Sequence, residues 1–525
     1  ALFATLFPET PSLLPLAGEG AQRADEGASR NSSAPPSPRP DHRQALAAAL
    51  ALRRALLLVT GGPGTGKTTT IARLLLLRIA QVRAAGQPAP RIALAAPTGR
   101  AADRMADSLR RALQPLRASG SIDPPLLDAL PTAAHTLHRL LGTIPDAPDF
   151  RHHADNPLPY DIVVVDEASM VDLPLMCKLA DAIADGAQLV LLGDPDQLPS
   201  VEAGDVLAAI LAAAGPGDAP LQEDAEALRP LLGDDVLSRH ARERGNPEVS
   251  KESNASDAQE PRHGLTGHRI HLVRGWRQSD ALHLAPLADA IRSGDAGTTL
   301  ALLRGDTLSN VRFHEGADDP LQAHPQLLDH WRALATCTDP AEALARAQRL
   351  RLLTAVREGP QGARGLNERI AAQLSGHRIG SPPTWFSGRL LLVTENSYRH
   401  RLFNGDVGLC LPDTDGTLLA WFPGSGDAAA PEPAHAVRAF HPASLPAHDS
   451  AFAMTVHKAQ GSEFDSVWLQ LPARDNRVLS RELLYTAITR ARSELHIAGS
   501  ADVIAAALAR HAGRVSGLGW RLMAR

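Results

Sequence analysis

Residues 56–70 read LLLVTGGPGTGKTTT, an apolar run, a glycine-rich turn and the start of an amphipathic helical pattern. The succession strand, GxxxxGKT, helix sets Gly61, Gly62, Pro63, Gly64, Thr65, Gly66, Lys67, Thr68 and Thr69 around one bend. Small residues there let successive backbone N–H groups close on a triphosphate at a helix N-terminus. Lys67 then reaches the β and γ phosphates, and the Thr68 hydroxyl joins a Mg²⁺ shell. A chance glycine-rich turn lacks the flanking strand and helix.

Downstream, IALAA (92–96), IVVVD (162–166) and LVLLG (189–193) alternate with helical patterns. Runs that are apolar on both faces belong to a parallel sheet covered by helices. IVVVDEAS brings Asp166 and Glu167 to a strand end, where open α/β sheets hold their ligands. Asp166 suits a direct or water-mediated Mg²⁺ contact and Glu167 suits a general base. Adjacent acids at a strand end also serve to cap a helix. In LVLLGDPDQLPSV, Gln197 is neutral and long enough to sense a γ phosphate, or is simply a polar loop residue.

The 525 residues exceed what one core usually holds, so at least two domains are expected. Residues 1–40 are read as a remnant of an N-terminal region plus a Gly, Ala, Ser and Pro-rich linker, and 41–213 as the first domain. Residues 215–265 contain eleven acids and six bases, which is the whole of the formal −5. The span 214–268 is therefore expected to be an acidic, mobile insertion. The second domain is expected over 269–384 and 449–525, with strands at RLLTAV (351–356), FAMTV (452–456), SVWLQL (466–471) and ELHIA (494–498). Between its halves, residues 385–448 carry RLLLVT, DVGLCL and TLLAWF, split by Asn404-Gly405 and Asp415-Gly416, which predicts a small β insertion.

Bulk charge decides nothing about DNA, because outside the acidic segment acids and bases balance. Cys177, Cys337 and Cys410 lie far apart without a CxxC pair, which argues against a disulfide framework or a cysteine-rich metal site and fits a reducing cytoplasm. No run approaches the length of a membrane span. Only Lys67, Lys178, Lys251 and Lys458 are lysines among 53 basic residues, and two of them fall inside the motifs below.

The ordered set GGPGTGKTTT, APTGRAADRM, TAAHTLHRLLG, VVVDEASMVDLP, LLGDPDQLPSVEAG, TVHKAQGSEFD and LLYTAITRARSEL resembles superfamily 1 DNA helicases of the RecD type, from about Asp41 to about Gly499. The resemblance implies two RecA-like P-loop domains with an SH3-like β insertion in the second, ATP and Mg²⁺ as cofactors, single-stranded DNA as track, and 5′ to 3′ movement. It implies RecB and RecC as partner subunits, although the N-terminal domain that docks on RecC is expected to be largely missing from this chain. It further implies that Gln44 reads adenine, that Glu463 contacts ribose, and that Arg277 and Arg490 meet the γ phosphate across the interdomain cleft. A fixed guanidinium there neutralises charge developing during phosphoryl transfer. For the single strand it implies Pro97, Thr98, Arg100, Thr136, Thr455, His457 and Lys458, a surface of hydroxyls and cations suited to sequence-independent phosphate tracking. His135 and His138 have no further ligand cluster and read as packing residues. Residues 151–161 stand where such helicases carry a small strand-separating hairpin, or form an ordinary loop.

Within this class the alternative is a stand-alone RecD-like helicase acting without RecB and RecC. A non-catalytic ATP-gated scaffold has no need of Lys67, Asp166, Glu167, Gln197 and Arg490 together. An intrinsic nuclease of the acid–spacer–lysine kind is excluded, since Thr65, Met176, Val249 and Val456 stand two before the lysines.

Overall fold

The computed structural model describes residues 2–7, 42–144, 147–202, 204–215, 218, 220–242, 264–273, 282–378, 380, 384–397, 399–424, 437–514 and 516–523. The first sheet has six parallel strands, β1 Leu56–Gly61, β2 Ile92–Ala96, β3 His135–Thr136, β4 Ile162–Val165, β5 Gln188–Gly193 and β6 Arg269–Leu272, in the order β3-β2-β4-β5-β1-β6. Successive residues of β1 serve opposite faces: Leu57 and Val59 join the core under the helices His42–Leu50, Lys67–Ala84 and Gly99–Ala118, while Leu58 joins a second core with Val163 and Val165. Both faces being dry is what made these strands read as unbroken apolar runs.

The second sheet is also wholly parallel. It consists of β7 Val311–Glu315 and β8 Leu350–Thr354, followed after the insertion by β14 Ala453–Thr455, β15 Phe464–Gln470 and β16 Ala491–Gly499, in the order β14-β8-β15-β16-β7. Val467 and Leu469 face one core and Trp468 the other. Between β8 and β14 lie β9 Leu390–Val393, β10 Val407–Pro412, β11 Leu418–Pro423, β12 Val437–Phe440 and β13 His448–Ser450, an antiparallel sheet in the order β12-β11-β10-β9-β13. Gly405 (φ 99°) and Gly416 (φ 82°) take the left-handed conformation that the two Asx-Gly turns require. The architecture is thus two helix-covered parallel sheets with a β insertion in the second, the RecA-like pair expected.

Three boundaries differ from the sequence reading. β6 pairs with β1, so residues 269–272 close the first sheet rather than open the second domain. Within the segment taken for a mobile insertion, Gln222–Arg242 is helical with a break at Gly233. There Leu228 and Leu232 enter the first core, and the buried Asp224 carboxylate accepts from Arg53 (2.7 Å) and Arg54 (2.8 Å). Finally, Phe3, Leu6 and Phe7 also pack into that core, with the Arg73 guanidinium 5.1 Å from the Phe7 ring. Residues 8–41 and 243–263 lie outside the described residues. Among the described residues no helix is long and apolar enough to cross a membrane.

Candidate functional site: the seam between the two parallel sheets

β1 delivers the chain to the glycine-rich turn, and Gly66 (φ 83°) turns it into the helix Lys67–Ala84. A Cβ on Gly62 would lie 2.9 Å from the Tyr485 hydroxyl, so glycine is what lets the second domain approach this loop. Lys67 Nζ donates to the Gly61 and Gly62 carbonyls (2.5 and 3.1 Å), parked on the loop that its ammonium would leave to meet phosphate. Thr68 opens the helix beside it. Gln44, expected at adenine, is buried and donates its amide to the Thr65 carbonyl (3.1 Å), buttressing the loop from behind.

At the end of β4 the Asp166 carboxylate accepts from the Glu167 backbone N–H (2.8 Å). Burial, then the neighbouring Glu167 carboxylate, raises the Asp166 pKa, while Lys67 and Arg104 oppose the rise. Glu167 is buried and takes a left-handed conformation (φ 53°). Such strain in a non-glycine residue is characteristic of functional sites. At the end of β5 the buried Gln197 donates to Asp194 (3.1 Å), and its Oε1 has no partner. The Tyr485 hydroxyl donates to the same Asp194 (3.1 Å), whose carboxyl burial pushes up to about 6. The loop glycines, the ammonium, the acids at neighbouring strand ends and an orphaned buried amide oxygen form a donor and acceptor set that fits a nucleotide triphosphate with a hard cation. Among the described residues there is no group of three or more His, Cys, Asp or Glu that could hold a metal ion.

The second domain enters through Tyr485, Thr486 and Arg490. Leu198 is pinned twice, its N–H donating to Thr486 Oγ1 (2.8 Å) and its carbonyl accepting from Gln460 (2.8 Å). Arg490 is only 1% exposed, so its guanidinium is buried in the seam rather than solvated. It donates to the carbonyls of Thr486 (3.0 Å) and Ser462 (3.2 Å). Burial lowers its guanidinium pKa and Glu167 opposes that. Glu463, expected at ribose, is ion-paired with Arg104 (3.3 Å) and Arg492 (3.1 Å). Against the effect of burial, the guanidiniums of Arg104, Arg490 and Arg492 hold it at about 2. Arg277 lies outside the described residues.

The expected track residues lie at the carboxyl ends of β2, β3 and β14. Pro97 leads into Thr98, whose hydroxyl caps the helix Gly99–Ala118 by accepting from Ala101 N–H (3.2 Å); Thr136 does the same for Arg139 N–H (3.2 Å). Thr455 Oγ1 accepts from Lys458 N–H (3.4 Å), and the Lys458 ammonium is paired with Asp449 (3.2 Å). His457 is half-buried, and burial followed by Arg514 lowers its pKa. Arg100 donates to Ser462 Oγ (3.2 Å) in the other domain. The two halves meet at Gly461 (φ 70°), where a Cβ would lie 3.4 Å from Ala101 Cβ and 3.8 Å from Thr98 Oγ1. In 151–161, His153 and Asn156 form a small antiparallel bridge. Asp194, Tyr485, Thr486, Gln460 and Arg104 had not been singled out from the sequence, though each stands inside or beside one of its motifs.

The AAA domain family matches residues 44–203 and the UvrD-like helicase C-terminal domain matches 450–498. The RecBCD enzyme subunit RecD of Mycobacterium tuberculosis is 40% identical over 91% of this chain and 72% of its own length. That of Haemophilus influenzae is 33% identical over 91% and 71%. The ATP-dependent RecD2 DNA helicase of Deinococcus radiodurans is 30% identical over 87% of this chain and 49% of its own length. With both matched domains built around one nucleotide-binding seam, the chain belongs to the RecD family of ATP-dependent DNA helicases.

Proposed function

We propose that the protein hydrolyses ATP at the seam to move 5′ to 3′ along single-stranded DNA, as the subunit of a RecBCD-type enzyme that works with RecB and RecC in double-strand-break repair and recombination. The observation that carries the reading is the seam itself. It brings the phosphate loop against Tyr485, Leu198 against Thr486, and Glu167 near the buried Arg490 of the other domain. ATP with Mg²⁺ supplies the phosphoanhydride whose hydrolysis drives the motor; Thr68 and Asp166 are the residues that would hold the cation. Lys67 exchanges its loop carbonyls for phosphate oxygens, the unpartnered Gln197 amide oxygen accepts from the attacking water near the γ position, and Glu167 orients and deprotonates that water. Arg490, with Arg277, neutralises the developing charge. Any change in the cleft displaces the Gly461 turn relative to Thr98, and with it the two halves of the DNA track. That coupling turns hydrolysis into a step.

Strand displacement on duplexes tailed at the 5′ or the 3′ side, with and without RecB and RecC, tests the proposal. Faster displacement from the 5′ tail, increased by the two subunits, is expected. Faster displacement from the 3′ tail overturns the direction, and indifference to RecB and RecC overturns the assembly.

A further inference from the structure

The helix Gly99–Ala118 begins at the DNA track and presents Arg100 and Arg104 on one face, four residues apart. Arg100 is spent on Ser462. Arg104 has three partners: it donates to the Gly461 carbonyl (3.2 Å), pairs with Glu463 (3.3 Å) and reaches the Glu167 carboxylate (3.5 Å). One planar guanidinium therefore spans the acid at the end of β4 and the turn after β14. That turn also receives Arg490, through the Ser462 carbonyl. No other residue named at the seam joins Glu167, the DNA-side helix and the second domain at once.

We infer that Arg104 is a positioning residue that fixes the hydrolytic glutamate, Glu167, according to where the Gly461–Glu463 turn sits, and so transmits DNA binding and domain closure to the chemical step. The inference rests on the proposed role of Glu167 as the base. A fork of fixed donors can hold two carboxylates and a carbonyl in one plane, a task for which a lysine is a partial substitute. The Glu463, Glu167 and Asp166 carboxylates raise the Arg104 pKa against the opposing effect of burial, consistent with an arginine held by its neighbours.

The test is steady-state ATP hydrolysis with and without single-stranded DNA, on the full chain, for Arg104→Gln, Arg104→Lys, Glu463→Gln, the Arg104→Gln/Glu463→Gln pair and Glu167→Gln, with melting curves for each. In Arg104→Gln the DNA-stimulated kcat is expected to fall about tenfold or more while KM for ATP shifts less than about threefold. Arg104→Lys should recover most of kcat, and Arg104→Gln should cost far less on the Glu463→Gln background than alone. Unchanged kcat in Arg104→Gln, a loss confined to KM, or strict additivity of the pair overturns the inference. Glu167→Gln separates the two claims: if it loses turnover while Arg104→Gln does not, only the inference fails, and if it keeps turnover the base assignment fails. Should Arg104→Gln not fold, the Glu463→Gln kcat decides instead: it must fall if the linkage exists, while Arg104→Lys stays close to the parent, and an unchanged Glu463→Gln kcat overturns the inference.

Discussion

Arg100 stands at the junction of two roles. Its guanidinium donates to Ser462 across the seam and faces the carboxylates of Asp406 and Asp103, while burial lowers its pKa. To meet a DNA phosphate it must leave Ser462, so grip on the strand and contact between the domains compete for one side chain. Arg100→Ala should weaken single-strand binding without sequence preference. The log–log salt slope should shrink by up to about 0.7, the share of one single-strand phosphate. Fluorescence anisotropy across a salt series reads both, and unaltered affinity and slope remove Arg100 from the track. Lys67, Asp166, Glu167 and Gln197 were legible because strand-end chemistry is local: each lies within a few residues of the apolar run that presents it. Arg104 was not, since its carbonyl partner is 357 residues away, and Tyr485 finds Asp194 across 291. Gln44 and Glu463 are expected at adenine and ribose; the structure places the Gln44 amide on the Thr65 carbonyl and Glu463 between the guanidiniums of Arg104 and Arg492.

Among the elements, the helix Gln222–Arg242 departs most from its sequence. Asp224, Leu228 and Leu232 recur every four residues, one stripe that ends at Gly233. So short a stripe, in acidic surroundings and holding Pro230, gives too little helical period to detect. Its carboxylate has a side chain only 2% exposed, between Arg53 and Arg54 at 39% and 16%. Asp224→Ala should cost about 2–3 kcal/mol, toward the lower side for a buried pair because both arginines keep some access to water. Chemical denaturation measures it, and a change under about 0.5 kcal/mol would mean the helix is not held there. A second element-scale expectation concerns β7 and β16. His314 stacks on Trp468 (centroids 4.4 Å) and meets His496 at 3.0 Å, with His324, Arg312 and Glu494 around them. Burial first, then His496, His324 and Arg312, lowers His314 to about 4. The unfolded imidazole binds protons more readily, so this contribution is complete above the ordinary histidine pKa and is lost as pH falls toward 4. His314→Phe keeps a ring on Trp468 and removes the titration. Its denaturation midpoint should drop less between pH 7 and pH 5 than the parent's, and equal drops contradict the account.

At the scale of the whole molecule, polar contacts between the two domains include Asp194 with Tyr485, Leu198 with Thr486 and Gln460, Asp196 with Arg292, and Ser462 and Gly461 with Arg100 and Arg104, while Leu198 also enters the second-domain core and Leu518 and Leu522 pack on the first. Each of these hydrogen bonds is modest, which suits a seam that opens and closes on the nucleotide side. Four strands of each sheet, β1, β2, β4 and β5 and β8, β14, β15 and β16, were legible as largely apolar runs, whereas the two-residue β3 and the polar VRFHE of β7 were not. The place of β6 was not, since its RIHL is short and alternates, and only pairing with β1 assigns it to the first domain.

The central claim is that the phosphate loop of this seam powers strand separation. Lys67→Gln removes a contact aimed at ligand phosphate and leaves the cores untouched, so the variant should fold and bind single-stranded DNA within about threefold of the parent. The most direct measurement is displacement of a 5′-tailed duplex strand at saturating ATP by parent and Lys67→Gln side by side. Displacement by the parent and none by the variant is the predicted result; displacement at the parent rate by a folded, DNA-binding Lys67→Gln protein would contradict the account.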